Sequence, residues 1–402
     1  MPEPHQKILN GIRVVDLSRV LAGPWCGQLL ADFGATVIKV EGPEGDENRR
    51  WPPLSPEGVS ANFGSVNRGK RAMVLNLKTA AARGVLRHLA VQADVLLHSF
   101  LPDTAARLGI SNEALHEANP RLIIGTISGY GALGPLAEKR GYDLMVQAFS
   151  GAMSTTGIPN GPPIRTGVSF IDMSTGLSLY GGIVTALLGR EKTGRGTWVR
   201  GSLLETAVAL LGYHAVGWMQ AGLLPEPQGS GSAHLVPYQA FRCHDGFMLA
   251  GAPNDAAWNR FCDALDWPEL AKDPRFQGNV ARVEQRDVLI PMLEDRFGRH
   301  PVAYWVARFE ARGVACAPIQ TVDQVMTHPQ VLANGMRLQA SNPDGTTQDL
   351  VGTPFKLADG GGTAPTAAPA LGSDTEAILA DTLGMTQAEI ALLRAAGAFT
   401  LS

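Results

Sequence analysis

An α/β fold follows from three features of the sequence. Short apolar runs rich in β-branched residues alternate with helix-length amphipathic segments, the first strand–helix–strand unit closes between Ile12 and Val40, and the pattern recurs up to Ser128. A layered sheet with helices on its faces is the arrangement that buries such elements.

Ile12 to Leu17 is the first strand. Pro24 opens a helix whose Leu29, Leu30 and Phe33 share a face, Gly34 ends it, and Thr36 to Val40 is the second strand. Strands at Met73–Leu77, Asp94–Ser99 and Leu122–Ser128 follow, with helices at Thr79–Gln92 and Asn112–Ala118 between them. A helix is expected over Met173–Leu188, with Leu177, Tyr180, Ile183 and Leu187 on one face, then a strand Thr197–Leu203 and an apolar helix Leu204–Leu223. From Leu224 a proline-, glycine- and serine-rich linker leads to a different pattern. Strands Pro237–Cys243 and Phe247–Gly251 are joined by Asp245-Gly246, a hairpin signal, and amphipathic helices follow at Asp255–Leu265, Glu284–Phe297 and Pro301–Arg312. This predicts a large domain from 1–223, a small α+β domain over 224–330, and a tail, 331–402, that returns to the large one. At 402 residues the chain exceeds the size at which a single core keeps growing, which agrees with two lobes.

Composition excludes several classes. With 45% hydrophobic and 18% charged residues and a net charge of −3, the chain has no bulk electrostatic reason to bind nucleic acid or an anionic membrane. Cys26, Cys243, Cys262 and Cys316 form no C-x-x-C pair, so neither a metal site nor a disulfide framework is expected, and isolated thiols suit a reducing cytoplasm. The amino terminus, MPEPHQK, lacks the regions of a signal peptide, and the uncharged run Met173–Gly189 falls short of a membrane span.

Gly129-Tyr130-Gly131-Ala132-Leu133-Gly134 satisfies G-x-G-x-x-G after a strand, but Pro135 follows at once and no long helix begins there to hold a pyrophosphate. A nicotinamide site is disfavoured. His98, His214 and His234 belong to no metalloprotease or hydrolase motif; His234, beside the linker, is a minor candidate. The long polar loop after the second strand ends in Arg68, Lys70 and Arg71, with Lys78 soon after, a cationic group suited to a phosphorylated ligand or simply to water. Asp172 is the only charge between Thr166 and Gly189. A carboxylate in so apolar a run needs donors or a cation to stay ionised, and at the expected start of the helix it is either a cap or a nucleophile.

The segments GIRVVDLSRVLAGP, LLADFGATVIKVEGPEGDENR, NRGKRAMVLNLKT, ISGYGALGP, GYDLMVQAFSG and RTGVSFIDMSTG together resemble the class III CoA-transferases and the related α-methylacyl-CoA racemases. The resemblance implies a Rossmann-like large domain built from both chain ends, a small domain between them, and an interlocked homodimer. It implies that Asp172 is the nucleophile, carrying first a mixed anhydride and then a CoA thioester, with Tyr142 beside it. It also implies CoA contacts at Val20, Lys78, Arg107 and Arg140, with Arg71 and its neighbours Arg68 and Lys70 at the phosphates. Acyl-CoA and a small carboxylic acid are the implied substrates, with no tightly bound cofactor and no metal. Three departures narrow the reading. Tyr142 stands where racemases carry a histidine, which disfavours two-base proton exchange. Leu21 replaces a glutamine of formyl-CoA transferase, and Gly229–His234 replaces its run of four glycines. The stretch Ser232–Phe241 looks more like that of succinyl-CoA-dependent dicarboxylate transferases. A racemase, and a CoA-binding relative without turnover, are the alternatives.

Overall fold

The computed structural model describes residues 7–55, 58–341, 347–358 and 366–400. Residues 1–6 of the amino-terminal MPEPHQK therefore lie outside the described residues. The chain divides into two compact units: Met1–Ala152, Thr166–Val216 and Gln330–Ser402 form one, and Met153–Arg165 with Gly217–Pro329 form the other. Relative to the division expected from sequence, the second unit begins at Gly217 and includes Met153–Arg165.

The first unit is built on a six-stranded sheet, β1 Arg13–Leu17, β2 Thr36–Glu41, β3 Arg71–Val74, β4 Val95–His98, β5 Ile123–Ser128 and β6 Trp198–Ser202. All pairings are parallel and the order is β3-β2-β1-β4-β5-β6. Val14, Val15, Val37, Ile38, Leu96, Leu97, Ile123 and Ile124 are buried, as a sheet covered on both faces requires. Helices α1 Ala22–Asp32, α2 Ala61–Asn67, α3 Ala80–Gln92, α4 Pro102–Arg107, α5 Asn112–Ala118, α6 Asp143–Phe149, α7 Ala152–Thr155, α8 Phe170–Thr193, α9 Leu203–Leu211 and α10 Tyr213–Ala221 follow in the chain. One core packs α3 and the carboxyl-terminal Ile378, Leu379 and Phe399 on one face of the sheet; the other packs Leu30 of α1 and Leu179, Ile183 and Leu187 of α8 on the opposite face. The chain winds outward from β1 to β3 and then crosses to β4 on the other side of β1. That reversal is a topological switch point, and the carboxyl ends of the strands there are the usual ligand position in an open parallel sheet.

At the edge strand of this sheet, Ala72 N–H donates to Asp374 Oδ2 at 2.9 Å and Val74 N–H to Thr375 Oγ1 at 3.0 Å, the two acceptors standing at the start of a helix, Thr375–Asp381. Two elements differ from expectation for reasons visible in the backbone. The apolar run after β6 is two helices, because Gly212 takes φ +50° and breaks it. Helix α8 begins at Phe170 rather than Met173 and runs on to a left-handed Gly194. It is long and apolar enough to cross a membrane by length and composition, yet Ile171, Thr175, Leu179, Ile183 and Leu187 are buried within the unit, which makes it a core helix.

The second unit has an antiparallel sheet, β7 Tyr238–Arg242, β8 Phe247–Gly251 and β9 Ala315–Pro318, with β7 and β8 joined at Asp245-Gly246. Its core is aromatic: Phe241 stacks on Phe297 at 4.5 Å, and Trp258, Phe261, Trp305 and Phe309 surround them.

Candidate active site

Asp172 is the third residue of α8, half-buried, one position after the fully buried Ile171. The expectation that it caps the helix is corrected: the capping carboxylate is Asp143, from the start of α6. Asp143 Oδ2 accepts from the backbone N–H of Ile171 at 2.9 Å and of Asp172 at 3.0 Å. Its Oδ1 accepts from Gln147 Nε2 at 2.5 Å, and Gln147 Oε1 accepts from Thr166 N–H at 3.1 Å. Asp143 and Gln147 are both buried, so the start of α8 is tied to α6 through a closed set of hydrogen bonds. Asp172 itself receives no such help. Among the described residues its carboxylate has no hydrogen-bond donor and no cation, and burial first, with the like charge of Asp143 second, pushes it up to about 7. The backbone donors at the start of α8 thus go to the Asp143 carboxylate and not to that of Asp172. The sequence carries a signal for this residue, since Asp143 is the only carboxylate between Glu138 and Asp172.

The glycines explain how these pieces meet. A Cβ on Gly176 would lie 2.3 Å from the Ala22 carbonyl oxygen, so only glycine lets α8 approach the start of α1 one turn beyond Asp172. A Cβ on Gly129 would lie 2.5 Å from Gly141 N, so the G-x-G-x-x-G stretch is a loop closed on its own base directly before Tyr142. Beneath lies a small core of Ala22, Tyr130, Val146, Ile171 and Leu203, contributed from beyond the carboxyl ends of β1, β5 and β6.

Val20, between β1 and α1, has φ +68°, a costly conformation for a β-branched residue. It is clamped on both sides. Asp46 Oδ2 accepts from Val20 N–H at 3.1 Å, and Asn48 Nδ2 donates to Val20 O at 2.6 Å. Asp46 is in turn paired with the buried Lys39 at 2.9 Å, and Lys39 also donates to Ser18 O at 2.6 Å. The long loop after β2 is thus not a solvated excursion: Asp46, Asn48, Phe63, Asn67 and Arg68 are buried in it.

That burial also corrects part of the cationic cluster. Arg68 is paired with Asp32 at 2.5 Å and donates to Val351 O, while Lys70 is paired with Asp16 at 2.9 Å and donates to Pro24 O and Asn67 Oδ1. Neither is available to a phosphate. Arg71 is half-buried, 3.9 Å from both Asp374 and Asp381. Lys78 after β3, Arg107 at the end of α4 and Arg140 before Tyr142 are exposed. Tyr142 is 55% exposed and precedes α6. The structure links Tyr142 to Asp172 through Asp143 and brings Val20 toward α8 through α1; it records no contact joining Lys78, Arg107 or Arg140 to them. His98 is buried at the end of β4, where burial pushes it down to about 4 and its Nδ1 accepts from Phe100 N–H, a structural arrangement. Among the described residues no cluster of metal-ligating side chains occurs.

A family model, CoA-transferase family III, matches residues 9–375. The chain belongs to this family. Relatives of this CoA-transferase include the human succinyl-CoA:glutarate CoA-transferase, 37% identical over 338 residues that cover 84% of this chain and 77% of the relative. The succinate–glutarate CoA-transferase of Agrobacterium fabrum is 36% identical over 354 residues, 86% of this chain and 88% of that one. Among solved structures, a CAIB/BAIF family protein from Brucella suis superposes with a TM-score of 0.85 at 36% identity, covering 93% of this chain and 99% of its own. The protein is accordingly a class III CoA-transferase, an enzyme acting on CoA thioesters and carboxylates.

Proposed function

We propose that this CoA-transferase moves CoA from succinyl-CoA or a similar acyl-CoA to a dicarboxylic acid, with Asp172 as the nucleophile. The observation that carries the reading is the half-buried Asp172 carboxylate in the first turn of α8, raised by burial and with no donor recorded for it, in a family III chain. An Asp172 oxygen attacks the thioester carbonyl and CoA leaves as thiolate. The thiolate then attacks the aspartyl carbonyl of the mixed anhydride, freeing the donor acid and leaving an aspartyl-CoA thioester, which the acceptor carboxylate opens in the reverse sense. The dicarboxylate preference is supported by the names of the succinate–glutarate relatives and by Ser232–Phe241. Val20, Lys78, Arg107, Arg140 and Arg71 are the proposed CoA contacts: the fixed Val20 turn offers backbone, and the cations offer charge to phosphates. Tyr142 lines the reacting centre. Incubation with succinyl-CoA and glutarate is expected to give glutaryl-CoA and succinate in equal amounts. Release of free CoA without a new thioester would oppose the reading.

We further infer a homodimer in a reducing, cytoplasmic setting. Four free thiols agree with the setting. For the dimer, the apolar side chains Val208, Leu210, Tyr213 and Val216 of α9 and α10, with Leu177 and Leu188 of α8, are exposed, apolar surface of the kind a partner chain covers. Sedimentation is expected at twice the chain mass of 42.6 kDa, and Tyr213→Asp is expected to shift the protein toward monomer. A monodisperse monomer at micromolar concentration would remove the dimer.

A further inference from the structure

Asp143 is a buried carboxylate from the start of α6, beside Asp172. Its two oxygens accept three N–H donors, from Ile171, Asp172 and Gln147, so both are occupied as acceptors at the start of α8. One of those donors is the nucleophile's own amide. Around this end of α8 the other ionisable groups are Tyr142 next to Asp143, Glu205 of α9, whose carboxylate faces Gly131, Arg200 of β6, which stacks over Trp198, and Asp16 and Lys70 behind α1, which are paired. None of them figures in the shift at Asp172, whose causes are burial and then Asp143.

We infer that Asp143 is a positioning residue that fixes Asp172 through its backbone and, by its charge, favours the acylated form of Asp172 over the free carboxylate. The inference rests on the nucleophilic role proposed above. The charge balance gives the reason. When an Asp172 oxygen forms the new C–O bond and the thioester C–S bond breaks, the electron pair and the negative charge leave with the CoA thiolate. When that thiolate forms a C–S bond to the aspartyl carbonyl, the charge leaves with the donor acid. In both covalent states Asp172 is neutral and its repulsion with Asp143 is gone, whereas in the free enzyme two carboxylates share one helix start. A fixed anion here therefore raises the nucleophilicity of Asp172 and the occupancy of its covalent states together.

The test is Asp143→Asn, which keeps an acceptor for the two backbone donors and removes the charge. Two readouts are taken: the acid limb of the pH–rate profile, and the fraction of enzyme trapped as aspartyl-CoA thioester, by quenched mass spectrometry with succinyl-CoA and no acceptor. The acid limb is expected to fall by roughly one to two pH units and the trapped fraction by about tenfold. Gln147→Ala, which loosens the clamp but leaves the charge, is expected to slow turnover with the limb unmoved. An Asp143→Asn enzyme with the parent limb and the parent trapped fraction would overturn the inference. Should that variant not fold, Asp143→Ser, which keeps an acceptor and removes the charge, is read in the same two ways: a lowered acid limb and trapped fraction support the inference, and parent values of both overturn it. A native enzyme that transfers CoA but forms no adduct would instead refute the nucleophilic role itself.

Discussion

Asp172→Ala is expected to lower the rate of CoA transfer by at least about 10³-fold, because a covalent route that loses its nucleophile loses every step at once. The same substitution is expected to leave the fold as stable as the parent or more so at pH 8, and this separates a catalytic from a structural role. The carboxylate has no partner to lose. Its ordinary value of 3.8 is raised to about 7 in the folded protein, so between those two values the native state holds a proton that the unfolded chain gives up. Stability contributed by this group therefore falls as pH rises from about 4 to about 7 and stays lost above. Removing Asp172 removes that slope, which denaturant midpoints measured at pH 5 and pH 8 will reveal. A variant that is both inactive and strongly destabilised at pH 8 would point to a structural carboxylate.

The second large effect is on stability. Lys70 and Asp16 are fully buried and in contact, and Lys70 also serves Pro24 O and Asn67 Oδ1. Burial works against the charge of Asp16, but Lys70 and Lys39 outweigh it and hold its carboxyl below the usual range. Lys70→Ala leaves a buried anion and two buried acceptors without their donor, and is expected to cost about 3–5 kcal/mol. Against a typical total of about 5–15 kcal/mol, that is enough to unfold a large share of the protein on mild heating. Because Asp16 stands near the end of β1, a few residues before the Val20 turn, a folded remnant should also bind acyl-CoA less well. A midpoint within experimental error of the parent would mean that water or Lys39 replaces the lost ammonium.

The sheet was legible because parallel strands buried on both faces must be apolar along their length, and Val14, Val37, Leu96 and Ile124 announce themselves. Asp172 was legible as an isolated charge in an apolar run. What surrounds it was not. The partner of its amide is Asp143, whose position is set by the loop that Gly129 and Gly141 close, and no local pattern reports such a contact. Arg68 and Lys70 misled for the converse reason. A run of cations on a polar loop resembles a phosphate site until the fold brings Asp32 and Asp16, distant in sequence, against them. Helix α8 likewise starts earlier than its apolar face suggests, because its first turn is held by a carboxylate from another helix rather than by a cap of its own.

The chemistry at the Asp172 carbonyl is the most direct test of the covalent route. If the enzyme is mixed with succinyl-CoA, quenched with hydroxylamine and digested, the peptide spanning Thr166 to Arg190 is expected to carry a hydroxamate on Asp172, absent without acyl-CoA and absent in Asp172→Ala. Full transfer activity with Asp172 unmodified, or with the hydroxamate on another carboxylate, would contradict it.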